Sequence, residues 1–163
     1  MEIIPIHKDH FPEIAEIYMQ GLETGNATFE TTLPTWEEWD KAKLKHSRLV
    51  AIIDNTVVGW AALSAVSDRC VYGGVAEVSI YISNDYQGKG IGKALMQKLI
   101  EESESNGIWT LQSGMFPENE TTVALHKSAG FRMIGHREKV GKLGNTWRNT
   151  IMMERRSKTI GIN

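Results

Sequence analysis

The succession of a strand, a glycine-rich turn and a helix constrains this chain more than any other feature. Ala76-Glu77-Val78-Ser79-Ile80-Tyr81-Ile82-Ser83 has the alternation of a strand. Gln87-Gly88-Lys89-Gly90-Ile91-Gly92 follows, and an amphipathic helix pattern runs from near Gly90 toward Asn106. On the strand, Val78, Ile80 and Ile82 share one face, which reads as core, and Glu77, Ser79 and Tyr81 share the other. On the helix, Leu95, Met96, Leu99, Ile100 and Ser103 face inward, with Lys93, Gln97, Lys98, Glu101 and Glu102 toward water. A helix N-terminus carries unpaired N–H groups and partial positive charge. Glycines there let a phosphate reach the backbone. The turn is therefore read as an anion site.

Three phosphate-binding turns have to be separated. A P-loop needs a hydroxyl after its lysine, and Ala94 follows Lys93. The dinucleotide fingerprint needs a third glycine where Lys93 stands, and an acidic residue ending the next strand. Leu111-Gln112-Ser113-Gly114 supplies none. A pyrophosphate turn of the form Q/R-x-x-G-x-G/A is matched by Gln87, Gly90 and Gly92. A glycine-rich turn without a ligand is the plain alternative.

The remaining pattern gives one α/β layer domain over 1–163, with a mostly antiparallel sheet and helices on both faces. Glu2 to Ile6 is a first strand. Asp9 or His10 is expected to cap a helix containing Pro12, Ile14, Tyr18 and Leu22. Thr35 caps a second helix through about His46. Leu49–Ile53 and Val57–Ala65 form a hairpin turning at Asp54-Asn55, and Trp109–Gly114 is a further strand. A helix follows from about Asn119 to Ala129. A final hairpin pairs Phe131–Val140 with Thr146–Glu154.

Composition excludes several classes. A net charge of −2 gives no broad basic field for nucleic acid. One cysteine, Cys70, permits no internal disulfide and reads as a spectator thiol. No apolar run suits a membrane span, and Met1-Glu2-Ile3-Ile4-Pro5 is unlike a secretion signal, so the expected location is cytoplasmic. His7, His10, His46 and His136 are scattered, and no metal site is expected.

The Gln87–Gly92 turn in its strand–helix context resembles the GCN5-related N-acetyltransferase superfamily. Asn119 followed by Leu125-His126 and Gly130-Phe131 resembles its second signature. Ala76–Ile82, Gly141-x-x-Gly144-x-x-Trp147 and Thr28-Phe29-Glu30 resemble the phosphinothricin and methionine sulfoximine N-acetyltransferases. The resemblance implies acetyl-CoA as cosubstrate, an amine acceptor of amino-acid type, and a homodimer whose partner chain borders the site. It also implies that the strand before the turn and the strand at Trp109 splay apart to admit the pantetheine.

Residue roles follow from this resemblance and from chemistry. Glu77 is the candidate general base, directly or through a water. Ile80, Tyr81 and Ile82 are expected to contact the acetyl and pantetheine groups through backbone. Gln87, Gly88, Lys89, Gly90, Ile91, Gly92 and Lys93 would surround the pyrophosphate. Asn119 has two compatible readings, helix cap and pantetheine partner. His126 stands where many members carry a Tyr facing the cofactor sulfur; proton donor to the thiolate and simple helix hydrogen bonding are both open. Phe29, Glu30, Ser67, Asp68, Arg69, Glu77, Val78 and Ser79 are the candidate acceptor-binding residues, with Arg69 suited to a substrate carboxylate. Trp147 closes the acceptor pocket or packs at a dimer contact. Two other functions stay open: an acyl-CoA sensor without turnover, and acetylation of protein N-termini or other amines.

Overall fold

The computed structural model describes residues 1–163. Its strands are β1 (Glu2–Pro5), β2 (Leu49–Ile53), β3 (Thr56–Ala65), β4 (Val75–Ile82), β5 (Thr110–Met115), β6 (Arg132–Leu143) and β7 (Thr146–Arg156). Its helices are α1 (Phe11–Glu23), α2 (Trp36–Ala42), α3 (Ile91–Ser105) and α4 (Glu120–Ser128). The seven strands form one sheet in the order β1-β2-β3-β4-β5-β7-β6. This is the mixed α/β architecture that the pattern predicts.

Every neighbouring pair is antiparallel except β4 and β5. Their parallel pairing is brief: Val75, Ala76 and Glu77 lie opposite Thr110, Leu111 and Gln112. Beyond that, β4 continues to Ile82 and β5 to Met115 without pairing to each other. The sheet therefore opens from the middle outward, and Glu77 stands at the last joined rung. Backbone N–H and C=O groups along the opened edges are left for another partner.

Two cores flank the sheet. On one face α3 buries Leu95, Met96 and Leu99 against Val58, Ala61 and Val78, and Val123 and Leu125 of α4 pack beside them. On the other, α1 and α2 bring Ile14, Ile17 and Trp39 against Val50, Trp60 and Ala62. Alternation along β4 works as expected. Val78 belongs to the first core with Ile80 and Ile82 packed against it, and Tyr81 packs on the second.

Three local details depart from the expected pattern. Helix α2 ends at Ala42, not His46, because Lys43 turns extended (φ −100°, ψ 148°). The next residue then leaves the helix altogether, Leu44 N–H bonding the Leu63 carbonyl of β3. At the start of α1 neither Asp9 nor His10 caps with its side chain; the His10 ring accepts from His7 N–H instead, at 3.0 Å. The Ser67–Gly74 loop includes a short 3-10 turn at Cys70–Tyr72. The expected caps at Thr35 and Asn119 both form, accepting from Glu38 N–H and Thr122 N–H. No helix is long and apolar enough to cross a membrane.

Candidate active site

The sheet opening forms one side of a cleft of about 750 Å³. Along it lie Ile80, Tyr81 and Ile82 of β4, the turn residues Gln87, Gly88, Gly90, Ile91, Gly92 and Lys93, Asn119 at the N-cap of α4 and His126 within that helix. Val78 and Ser79 reach it too. A second cavity of about 450 Å³ adjoins it and is lined by Phe29, Glu30, Gln112, Arg137, Val140 and Met152, among others. Glu77 lines both. The two cavities also share Ala27, Thr28, Gly114 and Met115, so they are adjoining parts of one site.

The turn explains its own glycines. Gly88 and Gly90 have φ of 73° and 79°, where a side chain is strained. A Cβ at either position would meet nothing within 4 Å, so the space above the turn is open. Gly90 is the N-cap of α3 and offers no side-chain cap. The first amides of α3 thus face open space with the helix dipole behind them. That is an arrangement for a diphosphate. The opened β4 edge fits an amide-bearing pantetheine arm in the same way. Coenzyme A fits these residues on both counts: Gly88–Lys93 would hold its diphosphate, and Ile80–Ile82 its arm.

Gln87 Nε2 donates to Asn84 Oδ1 at 3.4 Å, which ties the turn to the preceding residues. Lys93 lines the cleft, whereas Lys89 lies over the Tyr86 ring at 4.9 Å and lines neither cavity. Asn119 combines two jobs: Oδ1 accepts from Thr122 N–H at 3.3 Å, and Nδ2 donates to the Asn26 carbonyl at 3.2 Å.

His126 is buried, 1% exposed. Its Nδ1 lies 2.7 Å from the Thr122 carbonyl oxygen, which only accepts, so Nδ1 carries the proton. Burial pushes the ring's pKa below the ordinary histidine value, and the Thr122 bond only partly offsets this. The neutral ring therefore has a bare Nε2 with no hydrogen-bond partner. Donating a proton to a thiolate would first require protonation of that atom.

The β4 face toward α1 and α2 holds a group that the pattern did not single out. Lys43 Nζ donates to Ser79 Oγ at 2.9 Å and to Ser64 Oγ at 3.3 Å. An ammonium has no acceptor, so Ser79 accepts here and keeps its own proton for a group in the cleft. Burial pushes the Lys43 pKa down, and the nearby Glu77 carboxylate opposes this. Tyr81 stacks between Tyr18 and Trp60, with ring centroids at 4.9 and 5.1 Å. Burial first, then Tyr18, raises the Tyr81 pKa, so its hydroxyl stays neutral.

The loop chosen for the acceptor carboxylate lies elsewhere. Ser67, Asp68 and Arg69 line neither cavity. The Ser67 hydroxyl accepts from Arg69 N–H at 3.2 Å, and the Arg69 guanidinium sits over Tyr72 at 5.5 Å. Tight local turns bend the loop back on itself. Phe29 and Glu30 do reach the smaller cavity, held by a residue that the sequence did not flag. Arg148 donates to the Gly25 carbonyl at 2.7 Å and to Asn26 Oδ1 at 2.8 Å. It fixes the start of the segment that carries Thr28, Phe29 and Glu30. Cys70 is exposed and free.

Comparison with known proteins agrees with this geometry. Residues 11–131 match the model of the acetyltransferase (GNAT) family. A phosphinothricin N-acetyltransferase of Alcaligenes faecalis is 31% identical over 92% of this chain and 79% of that protein. A phosphinothricin acetyltransferase from Sinorhizobium meliloti, solved in complex with acetyl-CoA, superposes with a TM-score of 0.85 at 26% identity, covering 99% of this chain and 95% of that one. A ribosomal-protein-alanine N-acetyltransferase from Brucella melitensis gives 0.90 at 26% identity, covering 96% and 100%. The chain belongs to the GNAT acetyltransferase family. It is an acetyl-CoA-dependent N-acetyltransferase, similar to the phosphinothricin and methionine sulfoximine enzymes.

Proposed function

We propose that the acceptor is the amino group of a small amino-acid-like molecule of phosphinothricin type, with Glu77 as the general base. One observation carries this reading: Glu77 is the carboxylate lining both cavities, at the rung where β4 and β5 part. An amine in the smaller cavity would meet this carboxylate where that cavity adjoins the larger one. Acetyl-CoA supplies that group as a thioester, whose carbon accepts the amine lone pair and whose thiolate departs.

The chain's own residues do the rest. An ammonium has no lone pair, so Glu77 takes its proton, directly or through one water. The β4 backbone near Ile80–Ile82 supplies N–H donors where charge develops on the carbonyl oxygen. The Ser79 proton, left free by Lys43, is a further donor to the same cleft. His126, in its neutral tautomer, serves as a packed wall of the cleft. The relative names support an amino-acid acceptor.

A thiol-release assay over phosphinothricin, methionine sulfoximine, ordinary amino acids and an alanine-ended peptide tests the acceptor. Turnover confined to the peptide would favour the second reading, a protein N-terminus, which the likeness to the Brucella enzyme supports. Glu77→Gln is expected to lower kcat by about 10²–10⁴-fold with KM for acetyl-CoA unchanged. A rate independent of this substitution would remove Glu77 from the chemistry. We also propose a homodimer: Trp147, 54% exposed, and Val140 on the outer hairpin offer apolar surface for a second copy. Sedimentation as a monomer at micromolar concentration would reject it.

A further inference from the structure

We propose that Arg137 of β6 reads the carboxylate of the acceptor, so that the enzyme selects α-amino acids over plain amines. The inference rests on the amino-acid reading above and adds the residue that enforces it.

The charge pattern of the acceptor cavity is the first argument. Its lining holds two carboxylates, Glu30 and Glu77, and one cation, Arg137. A cavity for polyamines or simple amines would need only the acids. An arginine among them suits a dipolar guest, with the amine toward Glu77 and an acid group toward the guanidinium. Arg137 takes part in no ion pair within the chain. Arg148 lines neither cavity and is spent on Gly25, Asn26 and Glu118. A guanidinium offers paired N–H groups that match a carboxylate, and Arg137 has them free.

The backbone is the second argument. Arg137 lies opposite Thr150, and Gly141 opposite Arg148, so Glu138–Val140 bulge out across from Asn149 alone. Lys139, at φ 46°, is held there by a bond from its N–H to Asn149 Oδ1 at 2.8 Å. Side chains three residues apart on a regular strand point to opposite faces. The bulge instead brings both Arg137 and Val140 to the cavity. Gly141 completes the arrangement, since a Cβ there would lie 3.0 Å from the Phe29 ring across the same cavity.

Methionine sulfoximine and its α-carboxamide make the test, because the sulfoximine side chain carries no acid. Both are assayed with the wild type, Arg137→Gln and Arg137→Lys. For the acid, Arg137→Gln is expected to lower kcat/KM by about 10–100-fold, with Arg137→Lys in between. The carboxamide should be acetylated equally by all three, and KM for acetyl-CoA should not move. Equal losses on both acceptors would make Arg137 structural and overturn the proposal. So would a wild type that acetylates the carboxamide or a peptide as well as the acid, although transfer itself would stand. Failure to acetylate any amine would sink the acceptor reading and this inference together.

Discussion

The two halves of the cleft are made of different material. At the proposed cofactor end, the candidate binding groups are main-chain amides of consecutive residues, from Gly88 to Lys93 and along Ile80–Ile82. At the acceptor end they are side chains from distant segments: Phe29 and Glu30 after α1, Glu77 on β4, Gln112 on β5 and Arg137 on β6. A backbone site tolerates much side-chain variation but depends on a few φ values. A side-chain site can be retuned residue by residue while the sheet stays the same. One fold can therefore keep its cosubstrate and change its acceptor.

The sharpest way to break this contrast is at Gly90. A valine there would have to adopt φ of 79°, a conformation that costs a branched residue about 1–3 kcal/mol. The turn is expected to relax and turn its amides away. KM for acetyl-CoA should then rise about 10–100-fold, with KM for the acceptor unchanged and the circular dichroism spectrum retained. An unaltered acetyl-CoA KM would mean that the turn does not grip the diphosphate.

A smaller effect is expected at the rim of the acceptor end. Arg148→Met keeps bulk over Phe116, whose ring centroid lies 4.0 Å from the guanidinium, but removes the donors to Gly25 and Asn26. Losing hydrogen bonds from a charged group costs about 1–3 kcal/mol. For a chain of this size the thermal midpoint should fall by roughly 2–12 °C. The acceptor KM should rise severalfold as the Thr28–Glu30 segment loosens, with KM for acetyl-CoA held. Movement of the acetyl-CoA KM by as much as the acceptor KM would erase the distinction between the two ends.

The same contrast explains what the sequence disclosed. The pyrophosphate turn is local: strand, glycines and helix are contiguous, and their chemistry is that of the backbone. The position of Glu77 was legible because alternation put it on the face opposite Val78, Ile80 and Ile82, which pack on the α3 core. Arg137 was not, because counting along a regular strand sets it opposite Val140, and the bulge that reverses this depends on Asn149 of another strand. Arg69 was favoured for its nearness in sequence to β4, yet its loop folds back onto Tyr72. Lys43 was hidden inside a helical pattern carried past Ala42, where pairing with β3 wins over helix propensity.

His126 gives the smallest effect and the finest test, because it borders the cofactor end yet acts through a side chain. Its folded pKa is depressed by burial from the ordinary value of 6.5. Above that value both folded and unfolded chains hold the ring neutral, and no pH slope arises. As pH falls below it, the unfolded chain gains a proton that the folded ring refuses, so stability is lost until the folded pKa is passed. His46, also depressed by burial, adds to this loss with the same sign. Asparagine at 126 keeps an N–H donor for the Thr122 carbonyl and removes the titration. Between about pH 7 and about pH 5, the urea midpoint of His126→Asn is therefore expected to fall less than that of the wild type. A steeper fall in the variant would mean that the folded protein welcomes the proton on Nε2. That ring would then be equipped to hand a proton to the departing thiolate, and α4 would supply a general acid.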